Sequence, residues 1–169
     1  MTNKGGSTYV SIVLAVLVGY FSYQSWFNPN RAVKRQLGEL AATLSVPPEG
    51  ESGIERLARA ARLRNYLAPD VRISTGGSRP EIRSQEAVVA AVATWNPPAG
   101  GWTVTFVDVQ IAVDSDTSAR AYMTVEVNVA NPDAGQPSIE AREVRVEMTK
   151  MEGLWLLTAA EPAETLQRP

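Results

Sequence analysis

The chain contains no histidine and no cysteine, so any chemistry must come from carboxylates, hydroxyls, tyrosines and guanidinium groups. Without histidine it lacks the usual general base near neutral pH and the commonest imidazole ligand for a metal or haem. Without cysteine it has no disulfide, no thiolate nucleophile, no iron–sulfur or cysteine–zinc site and no lipidation cysteine. Glycine-rich phosphate loops, nucleophile elbows and acidic metal clusters are missing too. Asp114-Ser115-Asp116 reads as a hairpin tip, because a calcium loop needs further ligands at fixed offsets. No cofactor and no metal are therefore expected. Three arginines are more suggestive. Arg56, Arg59 and Arg62 recur every third residue, with Arg64 nearby, and would share one side of a helix. Such a stripe could meet lipid phosphates or an acidic partner. The plainer reading is a solvated face balanced by Glu51 and Glu55.

A second polar set comes from the last third of the chain, which alternates like a sheet. Strands are predicted over 102–113, 119–130, 138–150 and 153–161, separated by turn clusters at 114–116, 131–135 and 152–153. One face is apolar: Val107, Val109, Ile111 and Val113, then Ala121, Met123, Val125, Val127 and Val129, then Val144, Val146 and Met148. The opposite face carries Asp108, Gln110, Arg120, Tyr122, Thr124, Glu126, Asn128, Glu143, Arg145 and Glu147. This is the pattern of an antiparallel sheet with one covered and one wet face. An odd-sum register places Arg120 opposite Glu147 and Tyr122 beside Arg145. The mixed Tyr, Thr, Arg and Glu face suits a docking surface as well as it suits water.

Helices must cover the apolar face. Asn28-Pro29 reads as an N-cap followed by proline at the first helical position. Val33, Leu37, Leu40, Ala41 and Leu44 then form a stripe along a helix to residue 45. Ser52 and Glu55 fit a capping box and open a second helix, read with Ile54, Leu57, Ala58 and Ala61 inward. A short strand over 71–74, a glycine turn and an extended piece around 81–83 follow. Ser84 caps a third helix with Val88, Val89, Val92 and Trp95 on its stripe, stopped by Asn96-Pro97-Pro98.

Ahead of this domain, residues 9–27 read YVSIVLAVLVGYFSYQSWF without a charge. As a helix that is about 28 Å, close to a bilayer core of roughly 30 Å. Tyr20, Tyr23, Trp26 and Phe27 cluster where an interfacial aromatic belt would sit. A cleavable signal peptide would need small residues at its end, and bulky ones stand there instead. The sequence thus divides into a tail (1–8), a transmembrane helix through membrane lipid (9–27) and an extramembrane domain (28–169). Lys4 is the one charged side chain before residue 28, so the domain holds 15 of the 16 bases and all 18 acids. Nothing in that balance calls for nucleic acid. The expected location is the inner (plasma) membrane, single-pass, with the domain on the periplasmic side.

The order helix, helix, short strand, short strand, helix and four-strand meander resembles the nuclear-transport-factor-2-like (SnoaL-like) domain family over about residues 29–161. The segments ARLRNYLAPDVRIS, RPEIRSQEAVVAAVATW and MEGLWLLTAAEP resemble its helix-to-strand passage, its second strand with third helix, and its closing hairpin. The resemblance implies an α+β cone of three helices on a curved, mainly antiparallel sheet. It also implies that carboxylates and a tyrosine inside the cone would be the catalytic groups of isomerase-like members, which leaves Tyr66 and Asp70 near the cone mouth as the pocket pair. Set against this, Tyr66 can pack helix two on the sheet and Asp70 can end a helix. The expected function is a non-catalytic, membrane-anchored scaffold or accessory subunit docking on other membrane-complex subunits, or on a second copy. Its docking residues would be Arg120, Tyr122, Arg145 and Glu147, or Arg56, Arg59 and Arg62. The alternative is a binder of small apolar ligands, or an isomerase-like enzyme, using the cone.

Overall fold

Asn28 adopts extended backbone, its side-chain oxygen accepts the Asn30 N–H at 3.0 Å, and Pro29 follows it. The cap satisfies one of the donors that a helix start leaves unpaired. Helix α1 (Pro29–Leu44) begins there and buries Val33, Leu37, Leu40 and Ala41, the stripe the sequence predicts. The computed structural model describes residues 28–77, 80–98, 100–130 and 138–163. The expected transmembrane segment, residues 9–27, lies outside them. Among the described residues no helix is long and apolar enough to cross a membrane.

Helix α2 (Gly53–Leu63) opens on a complete capping box. The Ser52 N–H donates to Glu55 Oε2 at 2.7 Å and the Glu55 N–H to Ser52 Oγ at 3.3 Å. Ser52→Ala should cost about 1 kcal/mol; an unchanged thermal midpoint would mean that the hydroxyl does not hold the helix start.

The orientation of α2 departs from the sequence reading. Ile54 and Leu57 are 81 % and 61 % exposed, and Ala58 and Ala61 are exposed beside them. The buried residues are Arg59, Ala60 and Leu63. A long arginine can cover apolar surface with its stem when its head finds a partner, and Arg59 has one, described below.

After a single 3₁₀ turn (Arg64–Tyr66) come β1 (Leu67–Ile73) and β2 (Ile82–Arg83). Ser84 then caps α3 (Gln85–Thr94), its Oγ accepting the Ala87 N–H at 3.3 Å. Val88 is buried and Val92 packs against the core. Trp95, expected on the same stripe, is 56 % exposed, because the helix ends at Thr94 and Trp95 is already extended.

The remaining strands are β3 (Trp102–Val113), β4 (Ser118–Val129), β5 (Ser138–Met151) and β6 (Leu154–Pro162). They form one six-stranded sheet in the order β2-β1-β6-β5-β4-β3, antiparallel except where β1 runs parallel to β6. The three helices and this mixed sheet make the expected α+β architecture. The core runs from Val33, Leu37 and Leu40 of α1 through Leu63, Leu67 and Val71 to Ala121, Met123, Val146, Met148, Trp155 and Leu157 of the sheet.

The β3 alternation also needs a correction. Val107 pairs with Thr124 and Gln110 with Tyr122, so three steps along β3 oppose two along β4. The extra residue is a bulge where Asp108 takes φ +53°, and a bulge exchanges the faces on either side of it. Phe106, opposite Val125, shares the inner face before the bulge, and Ile111, opposite Ala121, shares it after. Val107 is therefore turned to the Thr124 face, not the apolar one.

At its start β3 is anchored to the loop after α1. Val46 bridges Trp102, and the Trp102 indole N–H donates to the Leu44 carbonyl at 2.8 Å. Gly101 makes the approach possible: at φ +66° a Cβ there would meet the Val46 and Pro47 carbonyl oxygens at 2.4 and 2.3 Å, a separation only glycine avoids.

Candidate functional site

The outer face of the sheet assembles as the strand parity predicts. Arg120 pairs across β4–β5 with Glu147, and Tyr122 with Arg145. The two arginines, however, find their ion-pair partners elsewhere. Arg120 makes a bidentate contact with the hairpin residue Asp114, Nε to Oδ2 at 2.9 Å and Nη2 to Oδ1 at 2.7 Å. That hydrogen bond holds the Asp114 carboxyl below its ordinary pKa and raises Arg120 above its own. Arg145 forms an ion pair with Glu161, its direct partner on β6. The Tyr122 oxygen first, then the Glu161 charge, keep the Arg145 guanidinium protonated beyond its ordinary range. Two residues that sequence reasoning left out, Asp114 and Glu161, thus complete this face. Only the strand pairing, which brings Glu161 beside Arg145, could have identified the second.

A cleft of about 640 Å³ opens at this point, lined by Ser74, Gly76, Tyr122, Arg145 and Glu161. A shallower one continues over Asp108, Gln110, Tyr122, Thr124 and Glu143. Tyr122 lies in both and is 42 % exposed. Its amphipathic ring can contribute contact area and a hydrogen bond to a partner at small conformational cost.

The arginine stripe of α2 does not form a common exposed face. Arg59 is 4 % exposed; its Nε and Nη2 donate to the two Glu51 carboxylate oxygens at 2.9 and 2.6 Å. Its guanidinium carbon stands 5.7 Å from the Trp102 ring centroid, within cation–π range. Arg56 lies on the same side, 3.6 Å from Glu51 and hydrogen-bonded to Asn96, while Arg62 alone is solvent-exposed. Trp95 packs its ring 4.5 Å from that of Trp102. The cluster is an internal clasp between the loop before α2, α2 itself and the start of β3. Arg56 and Arg59 are thus engaged within the domain, which leaves Arg62 as the exposed member of the stripe.

Tyr66 and Asp70 line neither of the clefts described above. Tyr66 is half-buried against the core, whereas Asp70 points outward from β1 between buried Ala68 and Val71. The buried inner face is instead lined by Leu, Val, Ala, Met and Trp. No group of three or more acidic residues positioned to hold a metal occurs among the described residues.

No protein-family model matches the sequence, and no curated protein matches it. Solved structures do resemble it. A nuclear-transport-factor-2-like protein with a cystatin-like fold from Novosphingobium aromaticivorans aligns with TM-score 0.65 at 13 % identity, over 90 % of this chain and 92 % of the other. A scytalone dehydratase candidate from the same organism aligns with TM-score 0.63 at 15 % identity, over 84 % and 89 %. The association domain of the C. elegans calcium/calmodulin-dependent protein kinase II aligns with TM-score 0.62 at 10 % identity, over 83 % and 98 %. At these identities the likeness speaks to architecture, and the chain has the nuclear-transport-factor-2-like (SnoaL-like) fold.

Proposed function

We propose that this chain is a non-catalytic accessory subunit, held in a membrane by residues 9–27 and docking on protein partners of a multi-subunit membrane complex through the outer face of its sheet. The observation that carries this reading is the character of the buried face. Among the described residues Arg59 is the one charged residue buried as a whole, and the enclosed Glu51 carboxylate and the Trp102 ring already occupy its guanidinium. An isomerase-like site would need convergent polar groups in the cone, while the outer face offers Tyr122 and Arg145, residue types that dominate binding hot spots. The kinase neighbour is an association domain, so the same architecture can serve assembly; fold alone does not decide function.

On this reading residues 9–27 are a single-pass anchor in the inner (plasma) membrane and the domain lies on the periplasmic side, as an uncharged stretch of bilayer length would allow. The anchor stays in the mature chain. Mass spectrometry of the purified protein should recover the N-terminal peptide, and a mature N-terminus beyond residue 25 would remove the anchor. Mild-detergent purification followed by identification of co-purifying chains tests the docking role directly.

A second reading, a binder of small apolar ligands or an isomerase-like enzyme using the cone, is favoured by the dehydratase candidate among the structural neighbours. The two readings separate on paired substitutions argued in the Discussion.

A further inference from the structure

The face of α2 opposite Arg59 has no cover among the described residues. At about 100° per residue, Ile54, Leu57, Ala58 and Ala61 form a single stripe. It points away from the side that buries Arg59, Ala60 and Leu63. Ile54 at 81 % and Leu57 at 61 % exposure are large apolar groups left uncovered side by side among the described residues, the kind of surface that a protein contact would cover.

One flank of the stripe carries Glu55 and Arg62, seven residues apart and so stacked two turns from each other. When two identical helices pack antiparallel, each flank faces its own counterpart. Glu55 of one copy then meets Arg62 of the other, and the same pair recurs across the two-fold axis. Glu55 Oε2 is engaged by the Ser52 N–H, which leaves its second oxygen for this contact. Arg62 is exposed. Between the charges, Ala58 and Ala61 are small enough for close approach of the two backbones.

We infer that α2 is a homodimer contact, in which two copies of this chain pack their Ile54–Leu57–Ala58–Ala61 stripes antiparallel with reciprocal Glu55–Arg62 pairs. The self-complementary charges are what select a second copy. Residues 9–27 carry no charge to pair with either group, and Glu55 would oppose an anionic lipid surface. The contact uses none of the sheet-face residues of the proposed docking surface, so either can fail without the other.

The absence of native cysteine makes the test direct, using the full-length chain in membranes of the expressing cells under mild oxidation. Ala58→Cys should give a disulfide-linked dimer about tenfold faster than Glu86→Cys, an exposed position on α3, because a formed pair raises the effective thiol concentration. Adding Leu57→Glu should abolish that advantage. When Glu55→Cys and Arg62→Cys chains are co-expressed, the mixed 55–62 disulfide should exceed both homodisulfides, which is the signature of the antiparallel register. Equal rates for Ala58→Cys and Glu86→Cys would overturn the contact, as expected for a stripe lying on lipid. Dominant 55–55 and 62–62 disulfides would overturn the antiparallel arrangement. A cross-link within one chain, between Ala58→Cys and a cysteine placed at Ala15, would assign the stripe to residues 9–27 and overturn it as well. Unchanged near- and far-ultraviolet circular dichroism of each variant confirms that the fold is intact.

Discussion

Replacing Glu51 with alanine is expected to destabilise the domain by about 3 kcal/mol, the lower end of the range for breaking a buried ion pair by removing one partner. Both side chains are almost fully enclosed, at 5 % exposure for Arg59 and 4 % for Glu51. The guanidinium left behind keeps its charge at any accessible pH, and Arg56 on the same side adds repulsion once the shared carboxylate is gone. The thermal midpoint should fall on the order of 10 °C. A double replacement, Glu51→Leu with Arg59→Met, should recover most of the loss, since apolar pairs of similar volume often match or exceed a buried salt bridge. The pH dependence gives an independent check. The hydrogen bond from Arg59 holds the Glu51 carboxyl below its ordinary pKa, outweighing the desolvation that opposes it. A depressed folded-state value means that the stabilisation is complete above the unfolded pKa of about 4.3 and is lost as pH falls through the folded value. The stability gap between wild type and Glu51→Ala should therefore close in acid. A gap that stays constant down to the acid transition would exclude Glu51 from the linkage.

The same clasp explains where the sequence misleads. A helical period identifies stripes but does not say which stripe is inside, and α2 has two. Ile54, Leu57, Ala58 and Ala61 are the more apolar set and read as core; Arg59, Ala60 and Leu63 are the set that is buried. The deciding partners, Glu51 and Trp102, stand eight and forty-three residues from Arg59 and meet it only in three dimensions. On β3, apolar residues occupy both parities around position 107, so the pattern reads through the bulge at Asp108 without a signal; only the positive φ and the strand pairing expose it. Other features were local and therefore legible. Asn28 and Ser52 act as caps in the predicted roles because capping depends on three or four consecutive residues. The Arg120–Glu147 and Tyr122–Arg145 pairings follow from period-two alternation joined across β4 and β5. The Tyr66 and Asp70 pair rested on the family arrangement, and strand β1 turns Asp70 to the outside.

If the outer sheet face is the docking surface proposed above, replacing Tyr122 and Arg145 together with alanine is expected to strip the protein of its partners while leaving the domain folded. Both side chains project from the outer face, at 42 % exposure for Tyr122 and 41 % for the Arg145 side chain, and neither belongs to the buried core. Truncating an aromatic and an arginine at the centre of a contact commonly costs about 2 kcal/mol or more each. Their combined loss would then reduce co-purification in mild detergent well below the wild-type yield. The stability cost should be small, because the Arg145–Glu161 pair is solvent-exposed and such pairs contribute about 0–1 kcal/mol. Ala121→Leu probes the opposite face. Ala121 is fully buried, packed in the cluster with Met123 and Val146, so three added carbons should overpack the core at a cost of about 1–3 kcal/mol. An accessory subunit would keep its partners in the Ala121→Leu variant, at reduced thermal midpoint, and lose them in the surface double variant. A protein that uses its cone for a ligand would do the reverse: the surface pair would be tolerated and binding of apolar probes would fail when the cone is filled. Wild-type recovery of every co-purifying chain with the surface double variant would refute sheet-face docking and move the contact to residues 9–27 or α2. The Ala121→Leu result would still decide independently whether the cone has room to serve a ligand.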